Sequence, residues 1–126
     1  MPKETLIWKK RPEEEDYRAA ASFLSLTCPD GKCAKLLHVL RKAKTIEHEA
    51  KDLLRASLLP LLSRDEPQVD RDLRKIHKGN LLAPVLLIRG DISRGVPVVI
   101  ADGYHRICAV YYHAENAPVR CRIVSI

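Results

Sequence analysis

Two short runs of apolar residues constrain the fold of this 126-residue chain more than any other feature. The runs are PVLLIR (residues 84–89) and VPVVIA (residues 96–101), and the hexapeptide between them is GDISRG. Both runs are rich in β-branched residues, while two glycines and an Asp-Ser pair favour a turn. The pattern predicts a β-hairpin of two buried strands.

Further elements are predicted on either side of this hairpin. Val69, Leu73 and Ile76 share one face of a helix that begins near Pro67, and Gly79 stands where a helix ends. The earlier run SLLPLL predicts an edge strand, because proline is tolerated at sheet edges. After the hairpin, helical spacing follows the string DGYHR, and VRCRIVSI predicts a closing strand with one solvated face.

The first half of the chain predicts helices. Apolar residues at helical spacing form three groups: Tyr17, Ala20, Ala21 and Leu24; Cys33, Leu36, Leu37 and Leu40; Ile46, Ala50, Leu53 and Leu54. Their apolar faces need a surface to cover, and the predicted sheet provides one. We therefore expect an α+β fold, a small mixed β-sheet with packed helices preceded by a helical N-terminal segment. We expect a single domain over residues 1–126, with a helical layer at 1–57 and the core at 58–126.

Charge and cysteine content exclude few classes of protein. The net charge of +6 is divided equally between the two halves, with no basic tail, so nucleic-acid binding is permitted but not favoured. The absence of a long apolar run predicts no membrane partner, and the charged N-terminus predicts a cytoplasmic protein without a signal peptide. Of the four cysteines, Cys28 and Cys33 lack a second closely spaced Cys/His pair, so no metal site is predicted.

The string DGYHR carries the candidate site. If residues 98–101 form a strand and a helix begins near Tyr104, then Asp102 and Gly103 form the connecting turn. The free N–H groups of the first helical turn and the helix dipole attract anions. His105 and Arg106 add a titratable donor and a fixed positive charge, which suits phosphate. In the alternative interpretation Asp102 caps the helix, and His105 and Arg106 are ordinary surface residues.

The order helix, LLAPVLLI, hairpin, IADGYHRICAV and closing strand resembles the ParB-like and sulfiredoxin-like superfamily over residues 57–126. Its members carry a Gly-x-His-Arg or related turn between a strand and a helix, and this turn binds nucleotide phosphates. The resemblance implies that Gly103, His105 and Arg106 hold phosphate, flanked by Asp102 and Tyr104. Lys78, which ends the preceding helix, is a further candidate for phosphate binding.

Three branches of the superfamily have features that can be compared with this sequence. Sulfiredoxins place a cysteine nucleophile where this chain has Tyr104, so sulfinic acid reductase activity is not expected, and Cys108 is expected to be a core thiol. ParB-type partition proteins read DNA through a following helix-turn-helix region, whereas this sequence ends at residue 126. ADP-dependent free serine kinases carry Asp-Gly-His-His-Arg, which is similar to residues 102–106.

The resemblance to the kinase branch implies a nucleotide-dependent phosphotransferase acting on a small hydroxyl substrate. ATP or ADP, with CTP as a further candidate, and Mg²⁺ are the implied cofactors. The base in that branch is a glutamate in the loop after the first strand, which implies Glu66 or Asp65 here; either could instead be a solvated loop residue or a helix cap. The alternative function is a non-catalytic nucleotide-sensing or nucleic-acid-associated module. A nuclease is disfavoured because the carboxylates follow no metal-ligand pattern.

Overall fold

The structure is a computed structural model that describes residues 5–126. Within this range it is a mixed α+β fold, which confirms the expected fold class. The helices are α1 (Glu14–Leu24), α2 (Asp30–Lys42), α3 (Ala50–Ser57), α4 (Pro67–His77) and α5 (Tyr104–His113), and the strands are β1 (Ile46–Glu49), β2 (Val85–Ile88), β3 (Val99–Asp102) and β4 (Pro118–Val124). No helix within residues 5–126 is long and apolar enough to span a bilayer.

The sheet has the strand order β1-β4-β2-β3. β2 and β3 pair antiparallel, which confirms the predicted hairpin, and their connection contains a short 3₁₀ helix at Ile92–Arg94. β4 lies parallel to β2 and antiparallel to β1. β4 and β2 are therefore the central strands of the sheet, and β1 and β3 are its edges.

Helices cover both faces of the sheet. Leu86 and Ile88 of β2 point into a core formed with α1 and α2, whereas Val85 and Leu87 point into a second core formed with α3, α4 and α5. Successive side chains of a strand face opposite sides, so a strand covered on both sides must be apolar at every position. This arrangement explains why all four residues of β2 are buried.

The prediction that Ile46 belongs to a helix face was wrong. Residues 46–49 form β1, which pairs with β4 from Ile46 opposite Cys121 to Glu49 opposite Pro118. Three of the four residues of β1 are exposed, so this edge strand lacks the apolar alternation that identifies a strand in sequence. The helix begins only at Ala50, as α3, and it packs on the opposite side of the sheet from α1 and α2.

The prediction of an edge strand in SLLPLL was also wrong, because residues 59–63 form neither helix nor strand. The carbonyl oxygens of Pro60 and Leu62 accept hydrogen bonds from the hydroxyls of Tyr104 and Tyr112 instead of from a neighbouring strand. Both tyrosines belong to α5. Side chains of a distant helix thus hold this segment, and local sequence patterns do not reveal such contacts.

The predicted solvated face of β4 is covered over part of its length. Arg120 is exposed beside Glu47, but Arg122 lies beneath the N-terminal helices. The guanidinium of Arg122 donates to the Arg41 carbonyl oxygen at 2.8 Å and to Thr45 Oγ1 at 3.2 Å. Arg122 therefore joins the end of α2 to the sheet, and the alternating pattern of β4 did not predict this role.

Candidate functional site

The turn between β3 and α5 requires a glycine. Gly103 has φ +107°, in the left-handed region that other residues rarely adopt. A Cβ atom at this position would lie 2.4 Å from Val85 Cγ1. The turn therefore lies directly against the central strand β2, at the end of the sheet where β3 finishes.

The first turn of α5 has no side-chain cap. Gly103 is the N-cap residue, and its carbonyl oxygen accepts from the Ile107 N–H group at 2.9 Å. Asp102 makes no capping hydrogen bond, although the sequence left that role open. The N–H groups of residues 104–106 precede the first intrahelical donor, Ile107, so they have no carbonyl partner within the helix, and such a helix N-terminus can bind anions.

Arg106 turns back from α5 toward the end of β3 and toward α1. Its Nη2 atom lies 3.5 Å from Asp16 Oδ1, and its Nη1 atom lies 3.9 Å from Asp102 Oδ2. The Arg106 side chain is only 18% exposed, so these charges interact in a partly desolvated environment. Arg106 is thus not the ordinary surface residue of the alternative interpretation.

Two polar atoms in the cluster of Asp16, Asp102 and Arg106 are buried without a hydrogen-bond partner. They are Arg106 Nη1 and Asp102 Oδ2, which face each other across a distance too long for a hydrogen bond. Buried polar atoms are usually satisfied by protein, water or an ion. Both atoms therefore lack the hydrogen bond that a buried polar atom usually has.

The environment of Asp102 favours its protonated form. Burial raises the pKa of this carboxyl to about 7, and the nearby Asp16 carboxylate adds to the rise, although Arg106 opposes it. A carboxyl group with this pKa changes its charge close to neutral pH. It can therefore donate a hydrogen bond when protonated or accept a cation when ionised.

Asp16 and Asp72 lie near Arg106 as well, and neither was predicted from the sequence. Asp16 of α1 accepts the Glu13 N–H group at 2.8 Å and contacts Arg106. Burial raises the pKa of the Asp72 carboxyl in α4, opposed by the charges of Arg106 and Lys75. The sequence did contain a signal for both aspartates, because residues four apart share one face of a helix. Asp16 precedes the buried Ala20 by four residues, and Asp72 precedes the buried Ile76 by four.

Glu66 lies beside the turn, in contact with His105. The distance from Glu66 Oε2 to His105 Nε2 is 3.4 Å. Glu66 is also the N-cap of α4, and its carboxylate accepts the N–H groups of Gln68 and Val69 at 3.1 Å each. These hydrogen bonds, together with the charge of His105, hold the pKa of the Glu66 carboxyl below its usual value. Both interpretations of Glu66, helix cap and site residue, are therefore compatible with its position.

The loop before α4 is positioned by tyrosines of α5. Tyr104 donates its hydroxyl to the Pro60 carbonyl oxygen, and Tyr112 donates to the Leu62 carbonyl oxygen at 2.6 Å. Tyr104 thereby contributes its side chain to the loop, which leaves its backbone N–H group as its contribution to the turn. Both hydrogen bonds hold the segment that precedes Glu66 against α5.

The two other predicted site residues lie apart from this contact. Asp65 is exposed, and its N–H group donates to Ser63 Oγ at 3.2 Å. Lys78 is the C-cap of α4, twelve residues after Glu66, which corresponds to about 18 Å along a helix. Glu66 is therefore the predicted carboxylate that the fold brings to the turn.

The cysteines have no role in this site. All four are free thiols, and Cys108 and Cys121 are fully buried. Burial raises the pKa of the Cys108 thiol and raises that of Cys121 to about 11, so both remain protonated and unreactive at neutral pH. Cys108 is thus a core thiol, as the sequence predicted.

Neither a metal cluster nor a matching protein identifies the site. Among the residues described, no group of three or more His, Cys, Asp or Glu side chains is arranged to hold a metal ion. Comparisons with protein-family models, curated proteins and solved structures found no significant match to this chain. The chemistry of the site must therefore be inferred from its own side chains.

Proposed function

We propose that this protein binds the phosphate groups of a nucleotide at the turn of residues 102–106. The observation that carries the proposal is the pair of buried atoms without hydrogen bonds, Arg106 Nη1 and Asp102 Oδ2, at the N-terminus of a ten-residue helix. A guanidinium next to free helix N–H groups suits phosphate oxygens. The resemblance of DGYHR to phosphate-binding turns supports the same ligand.

The carboxylates near Arg106 favour a phosphate that is accompanied by a divalent cation. Asp16, Asp72 and Asp102 lie close to one guanidinium, so an unaccompanied phosphate would meet excess negative charge. Mg²⁺ is typically held by one or two carboxylates together with substrate phosphates, and Asp16 and Asp102 fit that pattern. When bound, Mg²⁺ would neutralise charge on the phosphate groups.

Phosphate transfer to a small hydroxyl compound is the activity that we assign to this site. Such a reaction needs a nearby base for the hydroxyl proton, and little further covalent help from the protein. Glu66, in contact with His105, is the first candidate for this base, and the exposed Asp65 is the second. The resemblance to the serine kinases suggests free serine as the first substrate to test.

One observation favours the non-catalytic alternative, a nucleotide-sensing or nucleic-acid-associated module. The carboxylate of Glu66 is engaged by two backbone N–H groups, and its lowered pKa makes it a weaker base. In that case Glu66 only starts α4, while the turn still binds nucleotide. The two functions therefore share the binding step and differ in the chemical step.

The binding step is tested by calorimetric titration of ATP, ADP and CTP, with Mg²⁺, into the wild-type protein and the Arg106→Ala variant. We expect the substitution to weaken nucleotide binding by roughly 10- to 100-fold, the range for loss of a charged hydrogen bond. Arg94→Ala, which removes an exposed arginine in the β2–β3 connection, is the matched control. Absence of nucleotide binding by the wild-type protein would refute both functions.

The chemical step is tested by incubating the protein with the bound nucleotide and free serine or related hydroxyl compounds. We expect Glu66→Gln to lower the rate of phosphate transfer at least about 100-fold while nucleotide affinity changes little. Glutamine keeps an oxygen that can cap α4, and Asp65→Asn serves as the comparison. Nucleotide binding without transfer in the wild-type protein would identify the sensing module instead.

A further inference from the structure

A concave region lies at the opposite end of β3 from the charged turn. It is a cavity of about 610 Å³ between α3 and the β2–β3 connection. Its apolar lining includes Leu53, Leu87, Val98 and Ile123. This volume falls within the range of cavities that bind small organic molecules, which are typically apolar with a few polar groups.

The polar groups of this cavity leave one cation without an ionic partner. Arg55 pairs with Asp52 at 3.3 Å, and Asp91 accepts hydrogen bonds from the N–H and hydroxyl groups of Ser93. Arg89 instead donates only its Nε atom, to Ser125 Oγ at 3.2 Å, and within residues 5–126 no carboxylate lies within ion-pair distance of it. The guanidinium fork therefore remains available to an anionic group on a ligand.

The rim of the cavity carries apolar side chains that the fold leaves exposed. Ile92 is 99% exposed at the β2–β3 connection, and Leu58 is 77% exposed at the end of α3. Leu58 also has φ +58°, a left-handed conformation that costs a residue with a side chain about 1–2 kcal/mol. Leu58 adopts this conformation as the C-cap that ends α3, and its N–H group donates to the Arg55 carbonyl oxygen. The side chains of Leu58 and Ile92 both line the cavity, so they extend its apolar surface to the rim.

We propose that this cavity binds an amphipathic carboxylate, a molecule with an apolar body and one carboxylate group. The apolar body would occupy the space above Leu87 and Ile123, and Leu58 and Ile92 would cover it. The carboxylate would pair with Arg89, because a guanidinium binds a carboxylate through two parallel hydrogen bonds. The site is separate from the nucleotide turn, since an extended chain spans about 13 Å from Val98, just before β3, to Asp102 at its end.

The charge requirement is tested with decanoate and decanol, which share an apolar chain and differ in the carboxylate. In calorimetric titrations we expect decanoate to bind the wild-type protein at least tenfold more tightly than decanol. Arg89→Ala is expected to weaken decanoate binding about tenfold and to leave decanol binding unchanged. Arg94→Ala, an exposed arginine outside the cavity lining, is expected to alter neither.

The location is tested with Ala56→Trp. Ala56 is exposed and lines the cavity, so an indole at this position would fill the cavity rather than the core. We expect this variant to keep its melting temperature and to lose decanoate binding. Unchanged decanoate binding by Ala56→Trp, equal binding of decanoate and decanol, or no binding to the wild-type protein would each overturn the proposal. Nucleotide binding at Arg106 is measured separately, so failure here leaves the proposed function untouched.

Discussion

Strand β3 connects two regions in which the usual burial of side chains is reversed in opposite ways. At its C-terminal end, Asp102 and Arg106 bury polar atoms without hydrogen bonds. At its N-terminal end, the cavity rim exposes Leu58 and Ile92, which are apolar. A buried polar atom without a hydrogen bond costs free energy on folding, whereas an exposed apolar side chain contributes no hydrophobic stabilisation. The two proposals rest on this contrast, and they assign a charged ligand to one end of β3 and an amphipathic ligand to the other.

The largest effect on stability is expected from Gly103→Ala at the charged end. The new Cβ would collide with Val85 and would also be strained at φ +107°. We expect the free energy of unfolding to fall by about 2–5 kcal/mol, the sum of left-handed strain and overpacking. Urea denaturation of the wild-type protein and the Gly103→Ala variant measures this difference in the free energy of unfolding.

Gly79→Ala is the control for this substitution. Gly79 also has a positive φ, of +73°, but a Cβ there would meet no atom within 4 Å. We expect Gly79→Ala to lower the free energy of unfolding only by the cost of left-handed strain, about 1–2 kcal/mol. Equal losses at the two glycines would show that Gly103 is not packed tightly against β2.

The next effect concerns the pH dependence of the charged end. The Asp102 pKa is raised by burial to about 7, so the stability that this group contributes at acidic pH is lost as the pH rises from about 4 to 7. Asparagine cannot ionise. We therefore expect Asp102→Asn to gain stability relative to wild type across this range, by at most about 1.4 kcal/mol per pH unit.

Thermal or urea unfolding of both proteins between about pH 5 and pH 8 checks this dependence. Asp70→Asn, at a half-buried aspartate paired with Arg74 on α4, provides the comparison. A constant stability difference between Asp102→Asn and wild type would contradict the raised pKa.

A smaller effect, again a gain in stability, is expected at the apolar end. Leu58→Gly relieves the left-handed strain at the end of α3 while removing a side chain that is mostly exposed. We expect a gain of up to about 1 kcal/mol in the free energy of unfolding, because glycine adopts this conformation readily but also loses more chain entropy on folding. The same variant should bind decanoate less tightly. A loss of stability would mean that Leu58 contributes more packing to the fold than its exposure indicates.

An effect of similar size, but a loss of stability, is expected from Tyr112→Phe, which weakens the attachment of residues 59–63 to α5. It removes the hydrogen bond to the Leu62 carbonyl oxygen, at a cost of about 0.5–1.5 kcal/mol. Hydrogen exchange should accelerate locally in residues 59–66, the segment that leads to Glu66. Tyr111→Phe, whose hydroxyl contacts Glu115 at 3.5 Å, should leave that segment protected.

Most elements of the fold were determined by local sequence. Helices α1, α2, α4 and α5 follow apolar residues at helical spacing, and the β2–β3 hairpin follows two apolar runs separated by a turn. Such signals are local because burial of one helix face or one strand requires a periodic pattern. The edge strand β1 has no such burial, and only pairing with β4 defines it.

The candidate site divides in the same way. The residues of the turn, 102–106, were predicted because the glycine, the charged pair and the strand-to-helix change are adjacent in sequence. Asp16, Asp72 and Glu66 come from other elements, and the tertiary structure alone brings them to Arg106 and His105. Sequence determines which local groups are available, whereas long-range packing decides which charges share a buried volume and therefore how their pKa values and ligands are set.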